Sequence, residues 1–143
     1  MAAGDERVIQ GGRAKAYRPL PPAERRAAFE AGLEAYANGD YFLAHELLEP
    51  AWMGTRDIPE RELIQGVIKL AAAYVHASRG NPAGFEKNLR GARDRLANAA
   101  SAGPLLRVDV ASLLAQIDLS RSDVAPGVPL AAIRIARLPN DVA

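Results

Sequence analysis

From Pro22 onward, large apolar side chains recur three and four residues apart; before Pro22 they do not. Phe29, Leu33 and Tyr36 stand at i, i+4 and i+7, one face of a helix over Pro22 to Ala37. Asn38-Gly39 supplies a left-handed stop, and Asp40 caps a second helix over Tyr41 to Met53. So short a connection forces an antiparallel hairpin. Pro50 lacks an N–H and is expected to kink or end the second helix where it stands. Asp57-Ile58-Pro59-Glu60 reads as a capped start with an early proline, opening a third helix over Pro59 to Arg79. Gly80 stops it, and Asn81-Pro82 begins a fourth with the stripe Phe85, Leu89, Ala92, Leu96 and Ala99. Gly103-Pro104 ends that helix. A shorter fifth follows Asp109, with Val110, Leu113, Leu114 and Ile117 inward.

The ends break this rhythm. Gly11-Gly12, Pro19, Pro21 and Pro22 interrupt any period in residues 1–22, which reads as a flexible arm. Pro126 and Pro129 exclude a helix near the C-terminus, while Ile133 and Ile135 alternate with Arg134. Residues 120–143 therefore read as an extended segment laid on the bundle. The expected fold is all-α: about five helices over 23–119 in antiparallel hairpins, with irregular arms at both ends. Leu105, Leu106, Val108, Ile133 and Ile135 are apolar residues beyond a four-helix core, which either cover the bundle or make a homodimer, the latter being the reading favoured.

Composition narrows the function. A chain of 143 residues buries roughly 68–70% of its unfolded surface and needs no staple. Without cysteine there is no disulfide, thiolate metal site or thiol nucleophile. Eighteen Lys+Arg against seventeen Asp+Glu, with 6% aromatics, argue against a nucleic-acid partner. No apolar run reaches the ~20 residues of a membrane span. No basic stretch followed by an apolar core opens the chain, so a cytoplasmic location is expected.

Chemistry concentrates in the second helix. At 100° per residue, Glu49 lies about 40° from His45 and Trp52 about 20° to the other side, with Tyr41 on the same face. A His–Glu pair at i, i+4 suits two ligands of one metal, and suits equally a hydrogen bond that fixes the histidine tautomer. Zinc needs three or four ligands, so a third must come from elsewhere. Glu46 points about 100° away from His45 and is the weaker candidate. The third helix offers a polar stripe of Glu62, Gln65, Lys69 and His76, which is either solvated or faces His45 and Glu49. The zinc-protease His-Glu-x-x-His is absent because position 49 is Glu. The Glu-x-x-His of di-iron bundles is absent because Phe42 and Ala73 precede the two histidines at that spacing. Gly11-Gly12 lacks the pattern of a phosphate loop, and no Gly-x-Ser-x-Gly occurs.

Gly39 through Glu46 and on to Trp52, then Leu63-Ile64-Gln65-Gly66-Val67-Ile68, Ala71 to His76 and Gly80 to Gly84, resemble the family called domain of unknown function 309. The resemblance covers roughly residues 29–97. It implies a small helical protein of bacteria or archaea with the signature His-x-x-x-Glu-x-x-Trp/Tyr, met by His45, Glu49 and Trp52, and a metal role for that signature. It brings no activity. The family pattern has Gln after Ile68 where this chain has Lys69, so a Lys69–Glu49 ion pair is expected to stand where a metal is imagined.

Three readings follow. In the first, His45, Glu49, Gln65 and His76 form a buried polar network with a structural or protein-interaction role. In the second, His45, Glu49 and His76 bind a divalent metal or small ligand, with Gln65, Lys69, Tyr41 and Trp52 around them. In the third, His45 is a general base polarised by Glu49, and hydrolysis by an activated water is the one reaction it would name.

Overall fold

The computed structural model describes residues 6–121 and 132–139. Five helices carry the fold: α1 (Pro22–Ala37), α2 (Tyr41–Met53), α3 (Ile58–Ser78), α4 (Pro82–Ala100) and α5 (Val110–Ser120). Their starts are set by side chains that accept orphan backbone N–H groups. Asp40 accepts from Leu43 N at 3.2 Å, Asp57 from Glu60 N, Asn81 from Gly84 N and Asp109 from Ser112 N, each at 3.0 Å. Gly39, at φ +80°, makes the left-handed turn between α1 and α2. Each helix packs on the next. Where α1 crosses α2 there is no room for a side chain at Gly32: a Cβ there would lie 2.5 Å from the fully buried Leu48. The core runs through Phe29, Leu48, Leu63, Leu70, Leu89, Leu96, Leu113 and Ile117.

Pro50 neither ends nor breaks α2, which continues to Met53. The proline is exposed and lies in the last turn, so the lost backbone bond falls where water can replace it.

The N-terminal arm is not irregular. β1 (Arg7–Gln10) and β2 (Arg13–Ala16) form an antiparallel hairpin with Arg7 opposite Ala16 and Gln10 opposite Arg13. Gly11 and Gly12, at φ +61° and +77°, form its two-residue turn, the type for which two glycines are suited. Val8 and Gln10 point inward, and Ile9 points out. Beyond the hairpin, Arg18 N donates to Met53 O and Leu20 N to Gly54 O, which fastens the arm to the end of α2.

The described part of the C-terminal segment is a strap without regular structure apart from one bridge, Arg137 to Val108. The rest of residues 120–143 beyond α5, at 122–131 and 140–143, lies outside the described residues. Ile133 is buried, its N–H donating to the Tyr74 hydroxyl at 2.8 Å and its carbonyl accepting from the Tyr36 hydroxyl at 2.6 Å. Gln116 grips the Arg134 peptide from both sides, at 2.9 Å each way. Arg137 forms a forked pair with Glu30 and donates to the carbonyls of Leu106 and Arg107. Those two residues are in the left-handed region, at φ 51° and 56°, a conformation costly without glycine and held here by the bonds to Arg137 and Leu138.

Val108 and Ile133 are buried, and Leu105, Leu106 and Ile135 pack against the same core. Of the five apolar residues that either cover the bundle or make a homodimer, two are thus buried by their own chain and three are partly buried against it. Among the described residues no helix is long and apolar enough to cross a membrane.

Candidate functional site

With Asp40 fixing the start of α2, the phase of the helix is set. Ala44, Leu48 and Ala51 enter the core, and Tyr41, His45, Glu49 and Trp52 fall on the half-buried flank beside them. His45, Glu46 and Glu49 each offer a ligand atom, and the three atoms lie within 4.8 Å of one another. The third member is therefore Glu46, not His76. Neighbouring residues on a helix diverge by about 100°, but the long glutamate side chain folds back, bringing Oε1 to 3.5 Å from His45 Nδ1. That contact lacks hydrogen-bond geometry, and Nδ1 is a buried atom with no hydrogen-bond partner. Glu49 has no hydrogen bond or ion pair among the described residues.

Trp52, the third member of the signature, joins a different group. Its indole N–H donates to Gln10 Oε1 at 3.1 Å, and the same oxygen accepts from Arg61 Nε at 3.1 Å. Gln10 Nε2 donates to Gln65 Oε1 at 2.8 Å. Arg61 is fully buried. Its remaining donors reach the carbonyls of Trp52 and Thr55 through Nη1 and of Ala16 through Nη2, at 3.0–3.2 Å. No carboxylate pairs with it among the described residues. Neutral oxygens and the face of the Trp52 ring, 4.8 Å from the guanidinium carbon, take that place. Burial lowers the Arg61 pKa, but an arginine starts so high that it stays charged. Sequence reasoning missed both Gln10 and Arg61. The available signal was that Arg61 shares a helix face with Ile64 and Ile68, so its charge stands on an apolar stripe.

The polar stripe of α3 does not face His45 and Glu49. Glu62 accepts from Arg95 at 3.2 Å and from Asn98 on α4. Gln65 meets the hairpin. Lys69 lies along α4 at Gly91, and no Lys69–Glu49 ion pair forms. His76 Nδ1 is 3.1 Å from Asn81 Nδ2, packed against Gly84, where a Cβ would come within 2.5 Å. A helical wheel fixes which residues share a face but not which neighbour occupies it, and α4, not α2, occupies this one. The buried polar network therefore exists with other members: Gln10, Trp52, Arg61 and Gln65 rather than His45, Glu49 and His76.

Tyr41 closes the other end of the α2 flank. It stacks on Tyr74 with ring centres 5.0 Å apart and meets Tyr36 edge-on at 5.2 Å. Burial above all, then the neighbouring phenols, drives the Tyr36 hydroxyl far above its ordinary pKa of 10.0, so it remains a donor to Ile133 O. A groove of about 870 Å³ opens here, lined by Leu33, Glu34, Tyr36, Tyr41, Ile133 and Arg134 among others, with neither His45 nor Glu49 in its wall.

No curated protein matches the chain. Residues 29–88, from Phe29 in α1 to Asn88 in α4, match the model of a family described as Domain of unknown function (DUF309). The matched stretch holds both the His45–Glu46–Glu49 group and the Trp52–Arg61 contact, and over it the chain is similar to the DUF309 family.

Proposed function

We propose that His45, Glu46 and Glu49 hold a divalent cation on the half-buried flank of α2. The observations that carry this reading are that ligand atoms of His45, Glu46 and Glu49 lie within 4.8 Å of one another, and that His45 Nδ1 is buried and unpartnered, 3.5 Å from Glu46 Oε1. A buried imidazole nitrogen without a hydrogen bond costs free energy. A cation offsets that cost and also offsets the repulsion between Glu46 and Glu49. One imidazole and two carboxylates form a mixed N/O set of the kind that suits zinc, manganese or iron. Bound there, such an ion supplies Lewis acidity and an acidified water. Around it, Tyr41 and Trp52 bound the flank at either end. His76 is not a ligand in this reading.

The test is thermal melting of the whole chain in EDTA and then with Zn²⁺, Mn²⁺, Ni²⁺ or Fe²⁺, for the wild type, His45→Ala, Glu49→Gln and His76→Ala. One metal should raise the wild-type midpoint, by an amount equivalent to about 2.7 kcal/mol at a hundredfold excess over its Kd. The shift should vanish in His45→Ala and Glu49→Gln and persist in His76→Ala. An equal shift in His45→Ala, or no shift with any metal, overturns the reading.

A structural reading has its own support in Trp52, Gln10, Arg61 and Gln65. Their hydrogen bonds tie the hairpin to α2 and α3, and on that basis the Trp of the signature is an anchor, while its His and Glu are ligands.

A further inference from the structure

Three lysines and an arginine gather where α3, α4 and the hairpin meet, on the side of α3 turned away from α2. Lys69 crosses to α4 because position 91 is glycine. The place a Gly91 Cβ would occupy is 3.0 Å from Lys69 Cδ and 3.6 Å from Nζ, so the ammonium lies over the α4 backbone. Lys87, Gly91 and Arg95 stand at i, i+4 and i+8, so Lys69 lies between Lys87 and Arg95 on one stripe of α4. The hairpin turn meets this stripe, Arg95 Nη1 being 3.3 Å from the Cβ position of Gly11. Lys15 comes from β2, opposite Val8.

The charges here are poorly matched. Glu62 is bound by Arg95 and Asn98. Lys15, Lys69 and Lys87 have neither hydrogen bond nor ion pair among the described residues. Burial, then the charges of Arg95, Lys15 and Lys87, depress the pKa of Lys69, so the cluster acts on it as a field of like sign. A chain of net charge +1 has carboxylates enough to interleave its cations, and elsewhere it does so: Arg93 pairs with Asp118 and Arg121 with Glu86. Like charges held together without partners are a cost to the fold and a feature of sites that take a counter-ion.

We propose that this seam binds a small phosphate-type oligoanion, with Lys69 at its centre and Lys87, Arg95 and Lys15 around it. Lysine ammoniums are compact point charges suited to phosphoryl oxygens, and Arg95 adds planar donors at one edge. The patch is too confined for a nucleic-acid track. Glu86 and the exposed Asp94 flank it on α4, whereas a backbone-following surface requires a continuous basic stripe. The site is separate from His45, Glu46 and Glu49, so each stands or falls alone.

The experiment is calorimetric titration of the whole chain with pyrophosphate, and with inorganic phosphate, in EDTA at fixed ionic strength. A single-stranded oligonucleotide is titrated in parallel. Chelation removes any contribution from metal on α2. Pyrophosphate should bind with a Kd below about 1 mM, more tightly than phosphate. Lys69→Gln and Lys87→Gln should each weaken it at least tenfold, and Arg26→Gln, an exposed cation on α1, should leave it unchanged. Lys69→Gln removes a repulsive charge and Lys87 is exposed, and circular dichroism of each variant checks that it is folded before titration. Absence of pyrophosphate binding, equal binding by Lys69→Gln, or tighter binding of the oligonucleotide overturns the proposal.

Discussion

Arg61 grips Trp52 from two directions: Nη1 donates to the Trp52 carbonyl at 3.1 Å, and the guanidinium carbon sits 4.8 Å from the centre of the indole ring. The pair joins the end of α2 to the start of α3 around a loop of four residues, Gly54 to Asp57. Because the acceptors around Arg61 are neutral, the contact does not depend on the ionisation of any carboxylate.

Arg61→Met should destabilise the domain by about 3–5 kcal/mol in urea unfolding. The methionine replaces the stem but leaves Gln10 Oε1 and the carbonyls of Ala16, Trp52 and Thr55 short of a donor. Arg61→Lys should recover little, since one ammonium with three protons cannot serve four separated acceptors. A loss under about 1 kcal/mol for Arg61→Met would show that water replaces the guanidinium at no great cost.

The two tyrosines that hold the strap should separate in hydrogen exchange. Tyr74→Phe removes the acceptor of the Ile133 N–H, and Tyr36→Phe removes the donor to its carbonyl. Each should cost about 1–2 kcal/mol. Only Tyr74→Phe should sharply lower the protection of the Ile133 amide itself. Equal loss of protection in both variants would mean that the strap opens as one piece.

Acid should loosen the strap through Glu30. Its forked bond to Arg137 is the chief cause of a pKa below the ordinary 4.5, with the Arg137 and Arg107 charges adding to it against some burial. A carboxyl depressed by folding stabilises above its unfolded pKa, and that stability is lost as pH falls through the folded value. The midpoint of the wild type should therefore drop faster than that of Glu30→Gln below pH 4.5. Above that pH the two curves should run parallel. The effect is small, because the Glu30 side chain is 53% exposed.

Lys69 has the opposite sign. Its pKa is lowered on folding, so the unfolded chain holds more protons in the alkaline range and stability should rise with pH between the depressed value and the ordinary 10.5. Lys69→Gln should abolish that rise. At neutral pH without ligand it should stabilise the domain by about 0.5 kcal/mol or less. A destabilised Lys69→Gln would show that the lysine stem's packing on α4 outweighs the repulsion.

The helices were legible because their signals are local. Asp40, Asp57, Asn81 and Asp109 stand where their side chains accept backbone N–H groups, and α1 and α2 begin and end where spacing and punctuation place them. The hairpin was lost because Gly11-Gly12 reads equally as a chain breaker and as a two-residue turn. What decides is whether Val8 and Gln10 find a core, and that depends on Trp52 and Arg61, forty residues or more away. The metal candidate was half legible. His45 and Glu49 share a face by spacing alone. Glu46 joins them by a side-chain rotation that no wheel records, and His76 was drawn in only because its face was assigned to the wrong neighbour.

The strap sets an order of events during synthesis. Tyr36 and Ile133, whose groups bond at 2.6 Å, are 97 residues apart, and Tyr74 is 59 from the same peptide. The helices from α1 to α4 can pack as they leave the ribosome, whereas both hydroxyls must wait until the last segment of this stretch has emerged. Until then the tyrosine cluster keeps its polar groups in water and cannot become fully dry. The nascent domain is therefore held short of its final packing, and closure of the strap is the step that completes it.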